Sequence, residues 1–228
     1  MSPLMSFVQG RVMNLLLVRS MVSGGLIVVV VSTGLVACTS GLLPKPAMQA
    51  IRLSLDDALA ADAGAANAAV AAPSAPTLSV DLPRAAAGHD TRDIVYRRRA
   101  QEVEYFAQHQ WVDTPVRILA PLMVQSLQRS GSFSAVTQAT SSAAGSWRLE
   151  TAAVRQEQDF TVSPSRVRLS LRVLLVDSRT RQVLGWRELD SSVAAASDDP
   201  YGGALAARQA TQQVLADLAR FCAQVRAR

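Results

Sequence analysis

The chain has 228 residues, of which 49% are hydrophobic, 18% charged and 5% aromatic, and its formal net charge is +5. This length suits one domain with appendages, and the composition can supply a core built mainly of Leu, Val and Ala, which excludes a wholly disordered chain. The positive charge is modest and not gathered into a basic domain, so we expect no nucleic-acid binding.

The first 37 residues have the pattern of a cleaved secretory signal. They contain no acidic residue, their charges are Arg11 and Arg19, and an apolar segment runs over residues 21–37. An apolar run of this length behind positive charge is typical of a signal peptide, and it is short for a membrane-spanning helix. Translation from Met13 instead of Met1 would give a signal of more usual length, and both starts stay open.

The apolar segment ends in Leu35-Val36-Ala37-Cys38, which resembles the lipobox of bacterial lipoproteins. We therefore expect cleavage between Ala37 and Cys38 and a diacylglycerol and N-acyl chain on Cys38; an uncleaved signal anchor is the alternative. Several acyl chains anchor a protein stably, since each buried CH2 contributes about 0.8 kcal/mol. Because Thr39, not aspartate, follows the cysteine, resemblance to enterobacterial sorting predicts the periplasmic face of the outer membrane rather than the inner membrane.

The rest of the chain divides into a tether and a domain. We expect residues 38–50 to form the lipidated N-terminus and tether, and residues 51–228 to form a periplasmic domain. Residues 51–55 and 78–82 alternate apolar and polar positions, as half-buried strands do. Between them, residues 56–77 are rich in Ala, Gly and Pro, which predicts a low-complexity loop, with a frayed helix as the alternative.

A basic hairpin is predicted next. Residues 94–96 and 103–106 have the composition of two strands, and Arg97, Arg98 and Arg99 lie near the turn between them. A solvated turn is the simplest interpretation of these arginines. Contact with anionic lipid headgroups or with an acidic partner is the alternative.

A helix is predicted to begin near Pro115, because Thr114 or Asp113 can cap it and proline suits its first turn. Ser130-Gly131 is expected to end the helix, since glycine readily takes the left-handed conformation. The apolar positions share one face and predict a buried stripe formed by Val116, Ile118, Leu119, Ala120, Leu122, Met123 and Leu127.

Three further strands are predicted over residues 133–136, 147–156 and 183–193. The last of these follows a turn at residues 177–182. The alternation in the second strand places on one face Trp147, Leu149, Thr151 and Ala153.

The clearest alternation in the chain lies over residues 166–175. Its apolar positions predict one face against a core, while Arg166, Arg168 and Arg172 face water. These three arginines are a candidate contact for a partner or for lipid headgroups, and a merely solvated face is the alternative.

The final helix is predicted after Asp198-Asp199-Pro200, because acidic residues and proline favour a helix N-terminus. The pair Gly202-Gly203 is expected to ease the turn into the helix. With Cys38 acylated, Cys222 is unpaired and should be a small buried hydrophobe. The predicted buried stripe consists of Ala204, Ala207, Thr211, Val214, Leu215, Leu218, Phe221, Cys222 and Val225.

The order strands, helix, antiparallel strands, helix predicts an α+β fold, with a mostly antiparallel sheet and two helices packed on one face. No catalytic constellation stands out: no G-x-S-x-G, S-x-x-K or phosphate-loop motif is present. His89 and His109 lack partners at metal-binding spacing. His89 lies in a polar loop and should be solvated, while His109 lies near Trp111 at a hairpin end. The sequence therefore predicts no catalytic residue, no metal site, no cofactor beyond the acyl chains and no enzyme activity.

The order and spacing of several short segments between residues 78 and 228 carry a family resemblance. They are IVYR at 94–97, VEYF at 103–106, HQWVDTP at 109–115, LQRSGSF at 127–133, WRLE at 147–150 and LVDSRTR at 175–181. Together they resemble the ABC-type transport auxiliary lipoprotein family. The long insert at 56–77 departs from that family's pattern.

The resemblance implies a non-catalytic auxiliary or docking subunit of a lipid transport system between the inner and outer membranes. The implied partners are a periplasmic protein with a mammalian-cell-entry domain, an ABC permease and an ATPase. Direct contact with phospholipid and a homo-oligomer stay open. The alternative is a lipoprotein that regulates or assembles another envelope machine, such as a cell-wall synthase or secretion complex, since fold does not fix function.

Overall fold

A computed structural model describes residues 50–55, 58, 74–139 and 145–228. The predicted signal at 1–37, the lipidation site Cys38, nearly all of the tether and most of the insert at 56–77 lie outside these residues. Within them the chain forms eight strands and two helices. In chain order they are β1 Ile51–Leu53, β2 Thr77–Val80, β3 Asp93–Arg97, β4 Glu104–Trp111, α1 Pro115–Arg129, β5 Ala135–Gln138, β6 Trp147–Asp159, β7 Arg166–Asp177, β8 Val183–Ala194 and α2 Pro200–Arg226.

The α+β prediction is confirmed, but the sheet is mixed and not mostly antiparallel. β1 pairs with β4, β2 with β5 and β6, and β3 with β6, all in parallel. The pairs β3–β4, β6–β7 and β7–β8 are antiparallel. The reason is that the chain from β2 to β3 runs along one edge of β6 in the same direction as β6. Between those strands, Arg84 donates its N–H to the carbonyl of Thr151 and accepts from Val154, each at 3.0 Å.

The burial pattern of β6 reverses at Ala153: different alternate positions of the strand are buried before and after this residue. Thr151 is buried, but Ala153, which was predicted on the same face, is exposed with φ 57°, and Val154 is buried in its place. The register with β7 shifts at this point, so Ala153 forms a β-bulge. The prediction that Ala153 shares a face with Thr151 is therefore wrong, because one inserted residue reverses the alternation that follows it.

The core lies between the sheet and the two helices. The alternation predicted in β7 is confirmed: Leu169, Leu171, Val173 and Leu175 are buried, each burial being worth about 1.5–3 kcal/mol. α1 packs against β2, β5 and β6, and α2 packs against β7 and β8, while the helices also contact each other. No helix in the described part of the chain combines the length and the hydropathy that a membrane crossing requires.

The ends of α1 follow the sequence signals closely. Every residue of the predicted stripe is buried. Thr114 is the N-cap residue but makes no capping bond; instead its N–H donates to Asp113 Oδ1 at 2.8 Å. Gly131 has φ 63° and follows the last turn, as predicted.

The first turn of α2 corrects one expectation. Asp199 caps the helix and accepts from the N–H of Gly202 at 2.8 Å, as the acidic pair indicated. However, Gly202 and Gly203 lie inside the helix and are buried. A Cβ on Gly202 would lie 2.3 Å from the Ser197 carbonyl oxygen, and one on Gly203 would lie 2.2 Å from Gln158 Oε1. The absence of a side chain at these glycines therefore lets Ser197 and Gln158 lie close to the helix, and easing the turn is not their role.

The remaining length of α2 forms the largest helical part of the core. Its predicted stripe is buried except for Ala204, which is half-buried. Cys222 is fully buried, as predicted, and desolvation raises the pKa of its thiol to about 12. A thiol in that state is inert at neutral pH.

Candidate partner-binding surface

The polar side of the sheet, opposite the helices, is the candidate surface. We call it the outer face, because strand residues alternate and these side chains point away from the core. It consists of Arg166, Arg168, Ser170, Arg172 and Leu174 of β7 and of Trp186, Glu188, Asp190 and Ser192 of β8.

The three arginines predicted for this face lie together, and each has a partner on β8. Arg172 Nη2 lies 2.6 Å from Glu188 Oε1, and Arg168 Nη2 lies 3.5 Å from Asp190 Oδ2. Arg166 donates to a backbone carbonyl of β8 at 2.9 Å. All these side chains are exposed, so each pair contributes only about 0–1 kcal/mol. Such pairs can exchange an internal partner for an external one at little cost.

An exposed tryptophan on the same face was missed by the sequence analysis. Trp186 is 63% exposed and lies opposite Leu174 in the β7–β8 register. Its position was available from the sequence, because the alternation that places Glu188 outward also places Trp186 outward. A large exposed indole among arginines has the composition of a protein-binding hot spot.

The bulge in β6 opens a shallow depression on the outer face. It has a volume of about 260 Å³ and includes Ala153, Arg155, Arg172, Glu188 and Asp190 in its lining. Small-molecule sites usually have 300–1,000 Å³ and apolar linings, whereas this depression is small and has two charges of each sign. It therefore suits a side chain of a protein partner better than an acyl chain.

The structure separates the three arginines predicted at the hairpin turn. Arg97 Nη2 lies 2.9 Å from Glu157 Oε2, and Glu157 is only 6% exposed, so Arg97 does not belong to a solvated tip as predicted. Arg98 is exposed with its guanidinium 5.2 Å from the Tyr96 ring centroid. Arg99 is exposed and pairs with a glutamate three residues later. Only Arg98 and Arg99 fit the predicted surface role.

The predicted solvation of His89 is also wrong, because the loop that carries it lies against β6. His89 is 5% exposed, its Nδ1 lies 3.3 Å from the Gln156 carbonyl oxygen, and its Nε2 lies 3.9 Å from Glu157 Oε2. Desolvation lowers the pKa of His89, although the charge of Glu157 opposes this shift. We call His89, Arg97 and Glu157 the buried cluster.

His109, which was predicted at a hairpin end, has aromatic neighbours. It lies within β4 and is half-buried, and its ring contacts the edge of the Tyr201 ring at a centroid distance of 5.5 Å. Its surroundings are aromatic, which accounts for the residue without a metal. In the part of the chain that the structure describes, no three His, Cys, Asp or Glu side chains converge on a position suited to a metal ion.

The outer face and the buried cluster meet at the C-terminal end of β6. Glu157 pairs with Arg168 in the β6–β7 register. Burial raises the pKa of Asp159, but hydrogen bonds from Thr161 and the charges of Arg97 and Arg168 outweigh it and bring that pKa below its ordinary value. The two predicted arginine groups are therefore connected electrostatically through neighbouring carboxylates.

This geometry offers ion pairs and an exposed aromatic ring, which are features of recognition. The sequence profile of the family described as ABC-type transport auxiliary lipoprotein component matches residues 58–219. The chain belongs to this family. Membership makes it an auxiliary lipoprotein component associated with ABC-type transport, in agreement with the resemblance inferred from the segments between residues 78 and 228.

Solved structures similar to this ABC-type transport auxiliary lipoprotein share its fold. Protein XCC0632 from Xanthomonas campestris is 23% identical, with a TM-score of 0.62, over 68% of this chain and 90% of that protein. A second, uncharacterized protein is 15% identical, with a TM-score of 0.53, over 64% of this chain and 90% of its own. No curated protein is significantly similar in sequence.

Proposed function

We propose that this protein is held at the periplasmic face of the outer membrane by acyl chains on Cys38 and acts as a non-catalytic docking subunit of a lipid transport system. Family membership supports the auxiliary role in ABC-type transport. The proposed partners are a mammalian-cell-entry-domain protein, an ABC permease and an ATPase. Phospholipids need a shielded route through the periplasm, because exposing acyl chains to water costs about 0.8 kcal/mol per CH2. A docking subunit at the far membrane would complete such a route.

The outer face carries this proposal, because it combines an exposed tryptophan with arginines in weak internal pairs. Trp and Arg are, together with Tyr, the residues enriched in binding hot spots. Trp186 supplies a large apolar area, and Arg168 and Arg172 can exchange their carboxylates for those of a partner. We therefore propose the outer face as the docking surface for the periplasmic partner.

Co-purification tests the proposed partners. The tagged lipoprotein is extracted from gently solubilised envelopes, and the proteins that accompany it are identified by mass spectrometry. We expect a mammalian-cell-entry-domain protein with an ABC permease and ATPase. Cell-wall synthases or secretion subunits in their place would overturn the lipid transport role and favour a regulator or assembly factor of that machine.

Two variants of the outer face test the surface. Trp186→Ala and Arg172→Glu should each reduce recovery of the periplasmic partner several-fold. Leu82→Ala is the matched control, since Leu82 is 51% exposed but lies between β2 and β3, outside the two strands of the outer face. Full recovery of the partner with Trp186→Ala would show that the outer face is not the docking surface.

Metabolic labelling tests the proposed lipidation. Labelled palmitate should enter the wild-type protein and not Cys38→Ala. Equal labelling of the two proteins would contradict lipidation at Cys38.

A further inference from the structure

A second exposed surface lies where the described fold begins, and we call it the β1–α2 patch. It consists of Ile51 and Leu53 of β1 and of Tyr201, Leu205 and Arg208 of α2. Leu53, Tyr201, Leu205 and Arg208 line one groove of about 330 Å³. Ile51 extends the patch, because it lies two residues before Leu53 on the same side of the strand. An exposed apolar patch rimmed by a polar residue marks an interaction site.

The large exposed hydrophobic side chains of α2 lie at the start of this helix. Tyr201, Leu205 and Arg208 follow the spacing i, i+4, i+7 and therefore share one side of the helix. Tyr201 and Leu205 are the large hydrophobic residues exposed in α2, which is described over its whole length. Gln213 and Arg220 are exposed later in the helix. In its first turns α2 therefore has large apolar side chains on its exposed side as well as on its buried side.

The patch is also preorganised and has an available cation. The His109 and Tyr201 rings are in contact at an interplanar angle of 83°, which places the Tyr201 ring against β4. Among the described residues, Arg208 has no ion-pair partner.

The position of the patch in the chain indicates what covers it. Cys38 precedes Ala50, the first residue of the described fold, by twelve residues, which span at most roughly 40 Å when fully extended. β7, with 12 residues, is itself about 40 Å long. An acyl anchor on Cys38 therefore keeps β1 within about one domain length of the bilayer. This step rests on the lipidation proposed above.

We propose that the β1–α2 patch rests on the phospholipid surface, with Ile51, Tyr201 and Leu205 in the interfacial region and Arg208 on lipid phosphate groups. A tyrosine ring suits this region because one end is apolar and the other polar. The planar guanidinium of arginine binds phosphate with two parallel hydrogen bonds. α2 covers the inner side of the sheet, so contact at the patch leaves the outer face available to a periplasmic partner.

A fluorescent probe on the full lipoprotein tests this contact. Leu205→Cys is labelled with an environment-sensitive dye and reconstituted into vesicles of phosphatidylethanolamine with a minor fraction of phosphatidylglycerol, with or without spin-labelled acyl chains. Cys222 is buried and Cys38 is acylated under the proposal, so one thiol reacts. Val183→Cys is the matched control, since Val183 is 55% exposed and Leu205 is 56% exposed, and Val183 begins β8.

The expected result is several-fold stronger quenching by the spin-labelled lipids at position 205 than at position 183, with a reduction when Arg208→Glu is added. Equal, weak quenching at both positions in protein that floats with the vesicles would overturn the patch and leave the lipid anchor intact. Protein that fails to float would overturn anchoring and patch together. A dye shifted to shorter wavelength without lipid quenching would also overturn the proposal, because it would show the patch covered by protein and not by lipid.

Discussion

The buried cluster and the outer face use the same kind of ion pair in two different surroundings. The Arg97–Glu157 pair has a distance of 2.9 Å and the Arg172–Glu188 pair one of 2.6 Å. Glu157 is 6% exposed, whereas Glu188 is 63% exposed. Distance therefore does not distinguish the two pairs, and exposure to water does.

Exposure decides what each pair contributes to the molecule. Around Glu157 little water is available, so an unpaired charge there would be costly, and the contact with Arg97 holds the β3–β4 hairpin against β6. Around Glu188 water replaces a lost partner readily, so Arg172 is held weakly. The buried cluster thus stabilises the fold, while the outer face keeps its charges available for recognition.

The largest effect is expected from Arg97→Met. This change retains much of the apolar stem but leaves Glu157 buried without its guanidinium, so we expect a loss of about 2–4 kcal/mol in the free energy of unfolding. Urea unfolding followed by circular dichroism measures it. Arg172→Met is the control with the same chemical change on the outer face, and its loss should stay below about 0.5 kcal/mol. Equal losses of unfolding free energy in the two variants would contradict the conclusion that burial distinguishes the Arg97–Glu157 pair from the Arg172–Glu188 pair.

A smaller effect is expected from the protonation of His89. Its folded-state pKa lies below the ordinary value of about 6.5, because burial disfavours the imidazolium ion. The unfolded chain therefore takes up this proton at a higher pH than the folded protein does. The contribution to stability is complete above pH 6.5 and is lost as the pH falls from there to the folded-state pKa.

The measurement is the urea midpoint of wild-type protein and of His89→Gln at about pH 7.5 and pH 5. Wild type should lose more stability than the variant over this interval, since glutamine does not titrate. The comparison between the two proteins removes the contribution of carboxylates that titrate nearby. Parallel curves for the two proteins would show that His89 is solvated in solution and does not belong to the buried cluster.

The helices and the β7–β8 hairpin could be predicted because their signals are local. Pro115 and Gly131 mark the ends of α1, and Asp199 marks the start of α2. The alternation along β7 placed Arg166, Arg168 and Arg172 outward without knowledge of any neighbour. The same rule applied to β8 would have found Trp186.

The parallel pairing and the buried cluster could not be predicted, because they depend on contacts far apart in the chain. Alternation is the same whether a neighbouring strand is parallel or antiparallel, so the direction of β2 and β3 along β6 left no signal. Arg97 and Glu157 are 60 residues apart, and His89 lies in a segment with the composition of a solvated loop. One sign was present: Arg155-Gln156-Glu157-Gln158 is a polar run that interrupts the alternation of β6, and Gln156, Glu157 and Gln158 are all buried.

The smallest effect is expected for the coupling between Arg172 and Glu188, and it sharpens the comparison most. A double-mutant cycle with Arg172→Ala and Glu188→Ala should give a coupling of about 0.2–1 kcal/mol in the free energy of unfolding. In about 1 M salt the coupling should decrease towards zero, because the Debye length is then only about 3 Å. A coupling of about 2 kcal/mol or more that resists salt would mean that the outer face holds its arginines as firmly as the buried cluster does. In that case Arg172 could not exchange Glu188 for a partner's carboxylate, and docking would depend on Trp186 and Arg168.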